Sequence, residues 1–186
     1  IIPINGVNDD GCVRPETSLE SMAKLKPAFD KEGVVTAGTS SPLTDGAAAV
    51  IVCSKEYAEK NNLNIMAYIR GMAISGCDPE VMGIGPVKSS QKALERAGIS
   101  LEDVDVIEMN EAFAAQSLAC VKELGIDMSK LNMHGGAISM GHPLGASGAR
   151  ITGKAASLLK ETGKKYALST MCVGGGQGCA TVLERA

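Results

Sequence analysis

Two glycine-rich segments each carry one side chain that could transfer protons. Residues 135–150 read GGAISMGHPLGASGAR and contain His142, and residues 171–178 read MCVGGGQG and contain Cys172. Glycine permits positive φ angles and the close approach of a ligand to the backbone. Imidazole and thiol are the side chains whose reference pKa values lie nearest neutrality. The pair therefore predicts proton transfer around a thiol or thioester, with backbone amides holding an oxyanion.

The surroundings of these two residues support that interpretation. Cys172 ends a predicted strand, and the amides of Val173–Gly176 after it can form a nest for negative charge. A strand and not a helix follows this glycine run, which argues against a dinucleotide-binding fingerprint and a Rossmann oxidoreductase. His142 precedes a helix predicted from Ala146, and a helix N-terminus disfavours the imidazolium form. The neutral ring could then act as a base.

Each candidate also has a purely structural interpretation. Cys172 could be a buried thiol before a hairpin turn, and His142 could be a surface-loop histidine. Asn110 follows a strand and opens a predicted helix, so it could be the helix N-cap. It could equally be a polar group at the carboxyl end of a strand, where α/β sheets bind ligands. Glu111 could be a first-turn helix charge with no other role.

Composition narrows the class of protein. The 186 residues are 45% hydrophobic and 21% charged, which is typical of a globular domain. A net charge of −3 and only 3% aromatic residues disfavour a nucleic-acid-binding protein, and no apolar run is long enough to span a bilayer. The six cysteines form no Cys-x-x-Cys pair, so we expect a reducing compartment, no disulfide framework and no metal site. Because the chain does not begin with Met, we expect it to be part of a longer protein.

Periodicity and turn residues predict the elements that position these groups. Strands are predicted over 34–38, 47–53, 66–75, 104–109, 131–133, 166–171 and 179–183. Helices are predicted after a cap at Thr17 or Ser18, after Ser54, and over 87–97, 111–124 and 146–161. Their alternation after residue 66 predicts an α/β sheet covered by helices on both faces, closed by a hairpin that adds an antiparallel edge. The first 62 residues contain little core and are interpreted as the tail of a preceding domain.

Several motifs resemble those of the thiolases. Residues 110–114 (NEAFA), 135–150 and 172–178 are similar, in this order, to the three C-terminal thiolase motifs. Residues 36–38 (TAG) and 45–49 (DGAAA) resemble the segment that precedes those motifs. The GTSS at 38–41, where many thiolases have GNAS, is more similar to the degradative 3-ketoacyl-CoA thiolases of fatty-acid oxidation.

The resemblance implies a fold and an assembly. It implies αβαβα layering in which residues 1–33 end a loop domain, 34–62 are the last strands of an N-terminal domain, and 63–186 are a C-terminal domain with a mixed five-stranded sheet. It also implies that the first half, with the cysteine that becomes acylated, is missing here, so the isolated chain is expected to be inactive. The complete protein is expected to be a homodimer or homotetramer, in the bacterial cytoplasm or in a eukaryotic mitochondrial matrix or peroxisome.

The resemblance further implies roles for individual residues. His142 would activate the missing nucleophile and, with a water held by Asn110, bind the thioester oxygen. Cys172 would exchange protons with the CoA sulfur or the substrate α-carbon, and the amide of Gly174 would serve a second oxyanion hole. Ala37 and Ser41 are expected to contact the pantetheine arm, and Arg14 is expected to lie near the adenine. Phe113 and Met82 are expected to line the acyl tunnel.

The implied reaction is the cleavage of 3-ketoacyl-CoA by CoA to acyl-CoA and acetyl-CoA, with CoA as co-substrate and no permanently bound cofactor. One alternative is a biosynthetic acetoacetyl-CoA thiolase that runs the condensation. Another is a non-catalytic acyl-CoA or lipid-binding protein on the same fold. The presence of both His142 and Cys172 argues against the binding protein, because binding alone does not need both.

Overall fold

Regular elements are sparse before residue 66 and dense after it. The computed structural model describes residues 2–186. Its α-helices are α1 (Leu19–Ala23), α2 (Lys55–Lys60), α3 (Gly85–Ala97), α4 (Ala114–Leu124), α5 (Ala137–Met140) and α6 (Leu144–Thr162). Short 3-10 helices span Ala37–Thr39, Pro79–Ile84 and Met128–Lys130, and the strands are β1 (Ala67–Gly76), β2 (Val106–Met109), β3 (Tyr166–Val173) and β4 (Gln177–Arg185). Within this described range, no helix has the length and apolar character to cross a membrane.

Four strands form one mixed sheet in the order β1-β4-β3-β2. β4 is antiparallel to both of its neighbours, and β2 is parallel to β3. The predicted closing hairpin is confirmed, but β4 lies inside the sheet and not at its edge, because β1 pairs along its outer side. Met109 lies opposite Thr170, so the carboxyl ends of β2 and β3 share one edge of the sheet.

Helices cover both faces of the sheet, as the alternation of elements predicts. α3 packs on β1 and β4, and α6 packs on β2 and β3. The core on the α3 side includes Leu94, Ile107, Met109, Leu168 and Val182. The core on the α6 side includes Val106, Ala155, Leu158, Leu159 and Leu183. Burial of one such aliphatic side chain stabilises the fold by about 1.5–3 kcal/mol, so these two layers hold the sheet on which the site is built.

The predicted fifth strand at 131–133 is wrong. Leu131 forms only an isolated parallel bridge to Ile107, because Asn132 adopts a left-handed φ of 43° and turns the chain away. The Asn132 side-chain amide then replaces the missing strand. Its Oδ1 accepts from the Met109 N–H at 2.9 Å, and its Nδ2 donates to the Met109 carbonyl at 2.9 Å.

The two strands predicted before residue 54 are also wrong. Residues 34–38 run into the 3-10 helix Ala37–Thr39, and residues 47–53 form no regular element. The apolar run predicts burial on both faces, yet Ile51 is 86% and Val52 is 72% exposed. A strand requires a hydrogen-bonded neighbour, and within residues 2–186 no strand lies beside this segment.

Helix boundaries match the predictions where a capping residue sets them. The hydroxyls of Ser18 and Ser54 each accept a backbone N–H at 3.1 Å, at the starts of α1 and α2, and Gly98 ends α3. α4, however, begins at Ala114 and not at Glu111. The interpretation of Asn110 as a helix N-cap is therefore wrong.

Candidate active site

The candidate site lies at the carboxyl edge of β2 and β3. Asn110 immediately follows β2, and its N–H donates to the Thr170 carbonyl at 3.0 Å. Cys172 lies two residues further along β3. Because the two strands are parallel, both residues are at the same edge, which is where α/β sheets bind their ligands.

α6 brings His142 to this edge. Thr152 lies 3.0 Å from Ser169 between their hydroxyl oxygens, and further toward the start of α6, Gly148 packs near Met171. The helix thus runs antiparallel to β3, and its N-terminus, just after His142, points toward the edge that carries Cys172.

The thiol of Cys172 and the helix that follows His142 lie on opposite faces of the sheet. The Thr170 hydroxyl accepts from Ser90 of α3 at 3.2 Å, and alternate residues of a strand share a face. Cys172 therefore points to the α3 side of β3, and His142 directly precedes α6, which packs on the other face.

The side chain of Ser147 holds the His142 ring. Ser147 Oγ lies 2.6 Å from His142 Nδ1 and 3.2 Å from the Pro143 carbonyl. The single hydroxyl proton of Ser147 is assigned to that carbonyl, so its oxygen accepts from the Nδ1–H of His142. This tautomer leaves Nε2 as the unprotonated nitrogen, which is the one that can act as a base.

The backbone and the charge of His142 are set by two further residues. The His142 N–H donates to Thr44 Oγ1 at 3.1 Å, which ties the loop to residues 42–44. Burial lowers the pKa of His142 below its ordinary value, and the nearby Arg150 guanidinium lowers this pKa further. The imidazole is therefore neutral, as predicted. Burial and Arg150 lower its pKa, whereas the sequence pointed to the helix N-terminus as the cause.

Cys172 is a buried, protonated thiol. It is 5% exposed, and burial, with a smaller contribution from the Cys120 thiol, raises its pKa to about 11. At neutral pH this group is a proton donor. Once deprotonated it is a stronger base than an ordinary thiolate, whose pKa lies near 8.5.

Asn110 presents an amide without a partner. The residue is fully buried, and neither Nδ2 nor Oδ1 has a hydrogen-bond partner among residues 2–186. An unpaired buried amide costs about 1–3 kcal/mol. It is therefore available to a water or a ligand at the edge of the sheet.

The residues predicted to contact CoA divide into two groups. Ser41 lies beside the segment after β2, where its N–H and its hydroxyl donate to the Ala112 carbonyl at 3.0 and 3.2 Å. Ser40 bridges to Phe113, whose ring meets that of Phe29 edge to face at 6.0 Å. Ala37 is exposed in the 3-10 helix just before these residues.

The remaining candidate residues, which include the predicted oxyanion donor Gly174, are more scattered. Met82 is half-buried in the 3-10 helix Pro79–Ile84, which packs on α4. Gly174 is exposed at the turn between β3 and β4. Arg14 is exposed in the N-terminal loop.

The sequence motifs did not reveal the roles of four polar side chains near the candidate site, of which Ser147 and Arg150 act directly on His142. Ser147 and Arg150 lie in the glycine-rich segment 135–150, three residues apart on the helix that follows His142. This spacing places them on one helix face and is the signal that could have revealed them. Glu108 is 2% exposed, and burial raises its pKa to about 7 against the opposing charges of Lys154 and Arg150. Glu111 accepts hydrogen bonds from two segments, which no local pattern reveals.

Two family models match the chain. The model described as "Thiolase, N-terminal domain" matches residues 2–56, and the one described as "Thiolase, C-terminal domain" matches residues 63–185.

Individual proteins match over nearly the whole chain. A protein named 3-ketoacyl-CoA thiolase from Vibrio vulnificus (strain YJ016) is 56% identical over 183 residues, which cover 96% of this chain and 47% of the relative. Human mitochondrial 3-ketoacyl-CoA thiolase, solved in complex with CoA, is 49% identical with a TM-score of 0.94, covering 97% of this chain and 46% of that one. Bacillus anthracis acetyl-CoA acetyltransferase is 45% identical with a TM-score of 0.93, covering 95% and 45%. The chain spans about half the length of the relatives it matches.

Proposed function

Because the chain belongs to the thiolase family, we propose that it supplies His142, Cys172, Asn110 and Gly174 to the active site of a 3-ketoacyl-CoA thiolase. The proposed reaction is cleavage of a 3-ketoacyl-CoA by CoA to acyl-CoA and acetyl-CoA, in fatty-acid β-oxidation. The observation that carries the proposal is the presence of an oriented imidazole, a buried thiol and an unpartnered amide at one edge of the sheet.

His142 acts first in this proposal. Its Nε2 takes the proton of a cysteine that lies in the remaining part of the protein, and the thiolate attacks the 3-keto carbon. The bond between C2 and C3 breaks, which leaves the acyl group on that cysteine and the enolate of acetyl-CoA. A free thiol is only a few per cent ionised near neutral pH, so the neutral base is required. Without the nucleophile, the chain alone is expected to be inactive.

Cys172 gives its proton to the enolate carbon to form acetyl-CoA. The resulting thiolate then takes the proton of the incoming CoA thiol, and its raised pKa makes this transfer favourable. The CoA thiolate attacks the acylated cysteine, acyl-CoA leaves, and the imidazolium of His142 returns its proton to the cysteine. All groups are then back in their starting state.

Two sites for negative oxygen are proposed. His142 and a water on the unpartnered Asn110 amide would hold one thioester oxygen, and the backbone N–H of Gly174 would serve the other. One such donor contributes roughly 10²–10³ in rate.

CoA is proposed as co-substrate, with no permanently bound cofactor. Ser41 donates its hydroxyl proton to Ala112, which leaves its oxygen free to accept from a pantetheine N–H. Ala37 would contact the same arm, and Arg14 would lie near the adenine. Phe113 and Met82 would line the acyl tunnel. The CoA complex of the human relative supports the co-substrate assignment.

The organisation of the whole protein is also a proposal. We retain the division into residues 1–33, 34–62 and 63–186, and a homodimer or homotetramer as the complete assembly. The compartment proposed is the cytoplasm of a bacterium, or the mitochondrial matrix or peroxisome of a eukaryote.

The test is a full-length chimera in which this chain replaces the matching segment of the Vibrio vulnificus relative. The chimera is expected to cleave 3-ketoacyl-CoA in the presence of CoA, and the isolated chain is not. A chimera that folds and assembles like the intact relative, yet lacks thiolysis, would refute the proposal. His142→Ala in the chimera is expected to lower kcat by about 10²–10⁴.

A biosynthetic thiolase is the second candidate, favoured by the likeness to the acetyl-CoA acetyltransferase. The two are distinguished by comparing kcat/KM for a C4 and a long-chain 3-ketoacyl-CoA. A non-catalytic acyl-CoA-binding protein would instead bind CoA in calorimetric titration and show no acylated cysteine by mass spectrometry.

A further inference from the structure

We propose that Glu111 is a positioning residue that fixes where His142 lies relative to Asn110. This inference rests on the proposed thiolase function. Glu111 directly follows Asn110 at the end of β2, and its carboxylate accepts from two other segments. Oε2 accepts the N–H of Ile138 at 3.1 Å, and Oε1 accepts from Asn132 Nδ2 at 2.6 Å.

The carboxylate replaces a helix cap at the start of α5. An N-cap side chain normally accepts from the second or third helical N–H. The N-cap of α5 is Gly136, which has no side chain for this purpose. The distant Glu111 reaches the second N–H of α5, that of Ile138, so the helix start is tied to the end of β2.

Gly136 provides the space that this contact requires. A Cβ built on Gly136 would overlap the carboxylate of Glu111. Any other residue here would displace that carboxylate or α5. Substitution of Gly136 is therefore a second way to disturb the contact between Glu111 and the start of α5.

Glu111 is the side-chain anchor that joins residues 135–142 to the end of β2, whereas the other anchors join these residues to α6 and to Thr44. Lys154 donates to the Gly135 carbonyl at 3.1 Å, and Arg150 donates to the Gly141 carbonyl at 3.5 Å. Both belong to α6, the helix that follows His142. Loss of Glu111 would leave His142 tied to α6 and to Thr44, but it would remove the link between residues 135–142 and the residue next to Asn110. A displacement of about 1 Å can cost roughly 10² in rate.

The test uses Glu111→Gln in the full-length chimera. Glutamine puts an N–H₂ donor against either the Ile138 N–H or the Asn132 amide, so one of the two hydrogen bonds is lost. We expect kcat to fall about ten- to hundredfold, while the KM for CoA changes less than about twofold. The matched control is Glu123→Gln, an exposed carboxylate on α4, which is expected to leave both constants unchanged.

A second background separates positioning from general weakening. With His142→Ala already present, Glu111→Gln is expected to change the residual rate less than about twofold, because groups that act as a unit are not additive. Equal losses in both backgrounds would overturn the proposal, as would an unchanged kcat in the first. Gly136→Ala should likewise lower kcat in the parent background and not in the His142→Ala background. This variant tests the proposal if Glu111→Gln fails to fold. Lack of thiolysis in the unsubstituted chimera would refute the function itself and not this inference.

Discussion

Ser147 and His142 form the shortest contact to the candidate base, at 2.6 Å between Oγ and Nδ1. Ser147 is fully buried and its position is fixed by α6, so the imidazole is oriented by a rigid helix. The proton of its hydroxyl is directed to the Pro143 carbonyl, which determines which ring nitrogen is free.

Ser147→Ala is expected to lower kcat/KM about ten- to hundredfold, because Nδ1 loses its acceptor and the ring loses its preferred orientation. Nitrogen NMR of the histidine should show a mixture of tautomers in the variant and a single one in the parent. Ser157→Ala, an exposed position on the same helix, is the control. Equal rates for the two variants would contradict this assignment.

Arg150→Met is expected to move the acid limb of the kcat/KM profile to higher pH. The guanidinium disfavours the imidazolium form and lowers the pKa of His142, so its removal raises that pKa toward its ordinary value. The base form is then lost at a higher pH as the solution is acidified. Lys160→Gln removes a charge from the exposed end of the same helix and should leave the profile in place. An acid limb at the same pH in the Arg150 variant and the parent would show that the guanidinium does not lower the pKa of His142.

Glu108→Gln is expected to flatten the dependence of stability on pH. Because burial raises the pKa of Glu108 from 4.5 to about 7, the folded state holds this proton more tightly than the unfolded state does. The resulting stabilisation is complete below pH 4.5 and is lost as the pH rises through about 7. As the pH rises from 5 to 8, the free energy of unfolding of the variant should therefore increase relative to that of the parent, by up to roughly 3 kcal/mol. Thermal melts across this range test it, with Glu123→Gln as control, and a constant difference in Tm would contradict it.

Cys172→Ser is expected to lower kcat for thiolysis by about 10²–10⁴, because a hydroxyl is a much weaker proton donor to the enolate than a thiol. The substitution is nearly isosteric, so the buried site at the end of β3 should fold as before. Cys53→Ser, an exposed cysteine, serves as the control. Retention of more than half of the parent rate would show that another group carries this proton.

The sequence predicts those helices and strands that are specified by local hydrophobic periodicity and by turn residues. Strand β1, helix α3 with Gly98 at its end, and the hairpin of β3 and β4 follow from periodicity and turn residues. The segment 47–53 has the composition of a buried strand, but composition does not supply the neighbour that a strand needs. The strand at 131–133 failed because a single side chain, Asn132, took over the pairing.

The candidate site was predictable as a set of residues but not as an arrangement. The motifs single out His142 and Cys172, yet their location at one edge of the sheet depends on how α6 packs against β3. The role of Glu111 depends on a contact with Ile138, 27 residues away, and a carboxylate at the start of a helix gives no local sign of it.

The exposed run from Ala47 to Cys53 has a practical consequence for the isolated chain. It contains seven residues without charge or proline, rich in β-branched side chains, and within residues 2–186 neither of its edges is paired in a ladder. Such a stretch is a template for cross-β stacking between molecules. Concentrated solutions of the chain by itself should therefore deposit fibrils, and Val50→Lys should delay their onset.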